Sequence, residues 1–173
     1  MNLTTLERIS PLDFDEIYAE MALAFPPEER RDREAARAIL DDPRYALYHV
    51  VHEKERVGFL ALWVLDTFTF LEHLVIYPAH RNKGLGGKVI TLAKQRFSPF
   101  LLECEPPDTE MAARRLAFYR RCGLVQNAHP YLQPSYREGG NGVPLLLMTY
   151  PLALTAPTQT VRELYALVYK KDI

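Results

Sequence analysis

The stretch Leu71-Glu72-His73-Leu74-Val75-Ile76-Tyr77-Pro78-Ala79-His80-Arg81-Asn82-Lys83-Gly84-Leu85-Gly86-Gly87-Lys88 limits what this chain can become more than any other. From Thr67 to Ile76 the only strongly polar residues are Glu72 and His73. Such a run reads as a central strand covered on both faces. Pro78 closes the strand, glycines follow, and Gly84 to Phe97 reads as a helix. Glycine lets backbone approach a ligand closely, and the first N–H groups of a helix have no internal partner. With the helix dipole, the turn becomes an anion site suited to phosphate. The alternative is a tight turn with surface basic residues, but the strand–loop–helix setting favours the anion site.

The ligand is narrowed by what the turn lacks. A Walker loop needs Ser or Thr after Gly-Lys, whereas Gly87-Lys88 is followed by Val89, and Asn82 stands where the first Gly belongs. A dinucleotide fingerprint needs a third Gly at the position of Val89, in an opening βαβ unit. Arg-x-x-Gly-x-Gly, Arg81 to Gly86, fits neither.

Composition removes other classes. A chain of 173 residues suits one domain spanning 1–173 and can bury a full core without staples. With 48% apolar and 25% charged residues, disorder is excluded as the main state. A net charge of -1 speaks against a nucleic-acid partner. Cys104 and Cys122 form no CxxC, so neither a disulfide scaffold nor a metal site is expected. Apolar runs such as Val143 to Met148 are too short to span a membrane. The first residues carry Glu7 and Arg8 and no hydrophobic signal region. The expectation is a cytoplasmic protein without a membrane partner.

Periodicity supplies the remaining elements. Leu3 to Ile9 reads as a strand, and Ser10-Pro11-Leu12-Asp13 as a capping box before a helix striped by Phe14, Ile17, Tyr18, Met21 and Phe25. Pro26-Pro27 breaks that helix, and a polar one follows from Asp32 to Leu40. Tyr45 to His52 and Arg56 to Asp66 form a hairpin around Glu53-Lys54-Glu55. Pro99 to Glu105 is a strand, and Thr109 to Cys122 a helix with Gly123 as its C-cap. Leu124 to Tyr131 and Val143 to Leu152 are the last strands, and Val161 to Lys170 a closing helix. Hairpins demand antiparallel pairing and crossover helices parallel pairing, so a mixed sheet with helices on both faces is expected.

Arg81-x-x-Gly84-x-Gly86 after Tyr77-Pro78, followed one strand later by Phe118-Tyr119-x-x-x-Gly123, resembles the GCN5-related N-acetyltransferase (GNAT) family. The element order of nearly the whole chain agrees. The resemblance implies an α/β GNAT-like fold, a mixed, mostly antiparallel sheet flanked by helices on both faces. It implies acetyl-CoA as co-substrate, with a small-molecule amine as acceptor. Other readings on the same fold are a protein N-terminal or lysine acetyltransferase and a non-catalytic acyl-CoA-binding module. A homodimer is one assembly it implies.

By the same resemblance, backbone groups at Leu74, Val75 and Ile76 hold the pantetheine arm, and amides of Asn82, Lys83, Gly84, Leu85, Gly86 and Gly87 cradle the pyrophosphate. Arg81, Lys83 and Lys88 add charge, although each Lys reads equally well as a solvated helix face. Tyr119 matches the family's general acid; the alternative is a core Tyr. Glu72 is read as sharing a strand face with Phe70, Leu74 and Ile76, where burial raises its pKa and makes it a base. The alternative is a buried Glu held by a neighbouring Arg. His73 falls on the opposite face. Glu103 and Glu105 are the other acidic candidates, one sharing the acceptor site with Glu72, or both are structural partners of Arg residues. The family's Asn after this strand is replaced by Glu103-Cys104-Glu105-Pro106-Pro107. Phe25 to Arg31 and Tyr131 to Arg137 are expected to flank the acceptor pocket.

Overall fold

A computed structural model describes residues 3–172. Strand β1 (Thr4–Arg8) leads to a turn capped by Ser10, whose hydroxyl accepts from the Leu12 amide at 3.3 Å. Asp13 does not complete the expected capping box. Its carboxylate instead accepts from His49 Nε2 at 3.1 Å and from Arg56 at 3.3 Å, tying the start of α1 (Phe14–Ala24) to the sheet. Helix α2 (Arg33–Ala38) is shorter than expected and is capped by Asp32, which accepts from Ala35 N at 2.8 Å.

The expected hairpin forms from β2 (Tyr45–His52) and β3 (Glu55–Val64), with Glu55 already in the strand and β3 ending two residues before Asp66, and β4 (Thr69–Ile76) follows. Helix α3 (Leu85–Arg96) crosses over to β5 (Phe100–Cys104), and α4 (Glu110–Arg121) follows. Gly123 takes a φ of 88° after α4, the left-handed conformation that glycine adopts without a Cβ penalty.

The strand expected over Leu124–Tyr131 is two short ones, β6 (Val125–Gln126) and β7 (Tyr131–Gln133), both pairing with β8 (Val143–Tyr150). Asn127 braces the break. Its amide donates to the Leu147 carbonyl at 3.1 Å and to Thr149 Oγ1 at 2.9 Å, and its Oδ1 accepts from Leu154 N at 2.8 Å. The closing helix α5 (Pro157–Leu164) starts earlier than expected and unwinds into a π turn over Tyr165–Tyr169.

Among the described residues, the eight strands form one sheet in the order β1-β2-β3-β4-β5-β8-β6, with β7 also on β8. Only β4 and β5 run parallel, as their crossover through α3 requires. One core cluster joins Phe59, Trp63, Phe70 and Leu147 to Ile17 and Met21 of α1 and Leu164 of α5. The other joins Leu60, Leu62, Leu102 and Met148 to Val89 and Ile90 of α3 and Leu116 of α4. Helices thus cover both faces.

Candidate active site

The parallel pairing of β4 with β5 covers only Thr69–Leu71 against Phe100–Leu102. At that point β4 carries a bulge: Leu62 faces Leu71 and Ala61 faces His73, so Glu72 is the extra residue. A bulge bends its strand and disrupts the ladder locally. Beyond it, the edge of β4 from Glu72 to Ile76 diverges from β5. A cavity of about 750 Å³ fills the wedge. Leu74, Val75 and Ile76 line one wall, Asn82 and Gly84 to Gly87 one end, and Glu103, Phe118 and Tyr119 are among the other lining residues, with Arg114 and Arg115.

The glycine end is shaped by close packing. Gly84 caps α3 with a φ of 72°, and the first turn of the helix, whose amides have no helical partner, lines the cavity from Gly84 to Gly87. A Cβ on Gly86 would stand 3.3 Å from the Phe118 ring, whereas one on Gly87 would meet only open space. Arg81 lines the cavity, and its Nε donates to the Ile76 carbonyl at 3.0 Å, holding the turn against β4. Lys83 and Lys88 fall outside the lining.

The bulge also corrects the expected placement of Glu72. Two consecutive side chains, Glu72 and His73, now lie on the α1 face, while Leu74 and Ile76 pack on the α3 face. The Glu72 side chain is 0% exposed and fully partnered. Oε1 accepts from Arg31 at 2.6 Å and from the Tyr136 hydroxyl at 3.1 Å, and Oε2 accepts from Trp63 Nε1–H at 2.9 Å. Burial pushes the carboxyl's pKa up, but the Arg31 charge and these hydrogen bonds outweigh it, and the pKa falls below the usual range. The expected rise is therefore reversed. Arg31 is itself fixed by a second bond, 3.0 Å to the Val168 carbonyl.

Glu103 has the opposite balance. It points from β5 to the same face, where the Tyr169 hydroxyl and the Gln133 amide, at 3.3 Å, donate to Oε1. Oε2 is buried without a partner in hydrogen-bond geometry, and the Tyr131 hydroxyl, equally buried and unpartnered, is a nearby donor that favours the charged carboxylate. Burial outweighs these bonds, and the nearby Glu72 charge adds to it, so the pKa is pushed up to about 7. Glu105 lies at the rim, 3.6 Å from Arg115. Across the cavity, burial pushes the half-buried Tyr119 hydroxyl up to about 12 and keeps it protonated. Among the described residues, no protein hydrogen bond holds that hydroxyl.

A smaller cavity of about 130 Å³ adjoins on the α1 side, lined by Phe25, Glu29, His73, Glu103, Gln133 and Tyr136 among others. Residues of both Phe25 to Arg31 and Tyr131 to Arg137 line it. Sequence reasoning missed Trp63 and Tyr169 as site residues, since a Trp in a strand and a Tyr in a closing helix read as core.

The model of the acetyltransferase (GNAT) family matches residues 13–124. The chain belongs to the GNAT family of acetyltransferases. Among GNAT structures, an acetyltransferase of Bacteroides thetaiotaomicron superposes with a TM-score of 0.92 at 28% identity, covering 97% of this chain and 99% of that one. An acetyltransferase of Bacillus subtilis in complex with CoA superposes with a TM-score of 0.60 at 14% identity, covering 88% of this chain and 99% of that one, a likeness of fold alone. The Bacillus subtilis (strain 168) acetyltransferase YjbC is 34% identical over 106 residues, 60% of this chain. The match spans 54% of YjbC, about half its length. The GNAT match ends before β6, so Tyr136 and Tyr169 lie outside it.

Proposed function

We propose that this protein transfers the acetyl group of acetyl-CoA to a primary amine of a small molecule. The observation that carries the reading is the wedge between β4 and β5. It joins a helix N-terminus with open space at Gly87 to a buried carboxylate with a pKa of about 7.

The donor end fits a pyrophosphate, with amides from Gly84 to Gly87 lining the cavity and no side chain at Gly87. The free edge of β4 at Leu74 to Ile76 offers backbone groups to an extended amide-bearing arm. CoA in one solved acetyltransferase of the same fold supports this assignment. Bound acetyl-CoA supplies the thioester.

On the other side, Glu103 Oε2 accepts the proton that the acceptor ammonium must lose, since an alkylammonium has a pKa of about 10.4. A carboxylate poised at about 7 is a better base than an ordinary one. Tyr119 donates its hydroxyl proton toward the departing sulfur. Glu72, held ionised by Arg31, supports the wall and raises the proton affinity of Glu103 through its charge. Glu103 thus takes the base role first read onto Glu72.

The test is acetyl-CoA-dependent release of free thiol with a panel of primary amines, alongside calorimetry of CoA binding. Amine-dependent thiol release supports the reading. CoA binding without turnover on any amine would favour a binding module instead.

A further inference from the structure

We propose that the acceptor is a short diamine whose second ammonium sits against Glu29 and Glu105. The inference rests on the acetyl-transfer reading and names the substrate class of its acceptor side.

The small cavity offers hydrogen-bond acceptors in excess. Its lining includes the carboxyls of Glu29, Glu72, Glu103 and Glu105 against a single guanidinium, that of Arg115. Arg31 lies behind it, already bonded to Glu72 and to the Val168 carbonyl. Two buried acceptors are left without partners. One is Glu103 Oε2, the atom assigned to the reacting nitrogen.

The other is Nδ1 of His73, a residue only 6% exposed that lines the cavity. His73 Nε2 lies 3.2 Å from the Glu29 carbonyl oxygen, which can only accept, so Nε2 carries the proton. Burial pushes the ring's pKa down and keeps it neutral. Nδ1 is therefore a bare acceptor, and only an N–H or O–H donor satisfies it. A buried polar atom without a partner is costly, so the cavity favours a ligand rich in N–H groups. Glu29 gives the same sign. Burial, and after it the Glu105 charge, push its carboxyl up against the pull of the Arg115 guanidinium, a repulsion that a further bound cation relieves.

Size completes the argument. About 130 Å³ of space beside the larger cavity, with which it shares Phe25, His73, Glu103 and Arg115, admits a short alkyl chain. A carboxylate on the acceptor would face four acids and one guanidinium, that of Arg115, whose exposed pair with Glu105 is long, at 3.6 Å, and leaves Glu105 with acceptor capacity for a second cation.

The transfer balances as follows. One ammonium gives its proton to Glu103, and its nitrogen forms a bond to the thioester carbonyl carbon. The carbon–sulfur bond breaks and the thiolate takes the Tyr119 proton, the acylated nitrogen releases its second proton, which returns to Tyr119 through solvent, and Glu103 gives its own proton to solvent. The products are the mono-N-acetyl diamine and CoA thiol.

The experiment compares kcat/KM for putrescine, butylamine and γ-aminobutyrate at saturating acetyl-CoA, with CoA binding measured separately by calorimetry. Putrescine should exceed butylamine by about tenfold or more, and γ-aminobutyrate should fall below both. The change Glu29→Gln, and separately Glu105→Gln, should shrink the putrescine-to-butylamine ratio, mainly by raising KM for putrescine. Equal rates for putrescine and butylamine, a preference for γ-aminobutyrate, or an unmoved ratio in both variants overturns the proposal. If CoA binds but none of the three amines reacts, the diamine assignment falls while the donor site stands. If CoA does not bind, the acetyl-transfer reading itself falls.

Discussion

The hydroxyl of Tyr169, near the end of the chain, donates a hydrogen bond to the Glu103 carboxylate on the central strand β5. The neighbouring Val168 carbonyl accepts from Arg31 at 3.0 Å, so one π turn braces both buried acids of the site. A donor to a carboxylate stabilises its charged form. Tyr169→Phe removes that donor while keeping the ring. The limb of kcat/KM that rises through about pH 7 should therefore move to higher pH. The check is a pH–rate profile. A uniform loss of rate with no shift would give Tyr169 a packing role only.

Glu103 should also be a stability liability at high pH. Its carboxyl sits at about 7 in the folded protein against an ordinary value of 4.5. Between those values the folded protein keeps a proton that the unfolded chain has released, so stability falls as pH rises through the window. The gap corresponds to about 3 kcal/mol at full ionisation. Glu103→Gln, which cannot ionise, should raise Tm by several degrees at pH 8 and leave it nearly unchanged at pH 4.5. Thermal melts at the two pH values measure this. An equal Tm difference at both would contradict the shifted pKa.

The Arg31–Glu72 pair, at 2.6 Å and with the Glu72 side chain fully buried, is expected to be costly to break from one side. Arg31→Met leaves a buried carboxylate without its counter-charge and should cost about 3–5 kcal/mol. Replacing both residues with Met should cost less than Arg31→Met alone, because no lone charge remains. Denaturant unfolding of the two variants decides the order.

At the donor end, Gly87→Glu places a side chain in open space on α3, so the fold should tolerate it. Its carboxylate then occupies the anion site and should abolish CoA binding in calorimetry. Gly86→Ala presses a methyl to 3.3 Å from Phe118 and should weaken CoA binding only indirectly, by moving that ring. A folded Gly87→Glu protein with unchanged CoA affinity would remove the glycine turn from the donor site.

Elements whose side chains follow one period were legible in the sequence. Strand β2 was read with its observed limits, and α3 to within a residue at either end, because period-two and helical patterns dominate there. Gly123 was legible as a C-cap because its positive φ is a local requirement. The bulge at Glu72 was not. It is set by how β4 pairs with Ala61 and Leu62 of β3, and strict alternation then assigned Glu72 to the wrong face. The broken strand at Asn127 was hidden because its apolar flanks continue the pattern, although Asn127-Ala128-His129-Pro130 carries turn chemistry. The link from Tyr169 to Glu103 spans 66 positions and exists only once the π turn folds over the sheet. The glycine turn was readable because its geometry is local, and the acid network was not because it is assembled from six separate segments.

The account turns on Glu103 accepting the acceptor's proton, and the pH dependence of kcat/KM for the wild type and Glu103→Gln tests it most directly. The wild-type rate should rise through about pH 7 as the carboxyl ionises. Glu103→Gln should be slower by about 10²-fold or more and should lack that limb. Glu72→Gln should keep it. A Glu103→Gln enzyme with the wild-type limb at near wild-type rate would contradict the account.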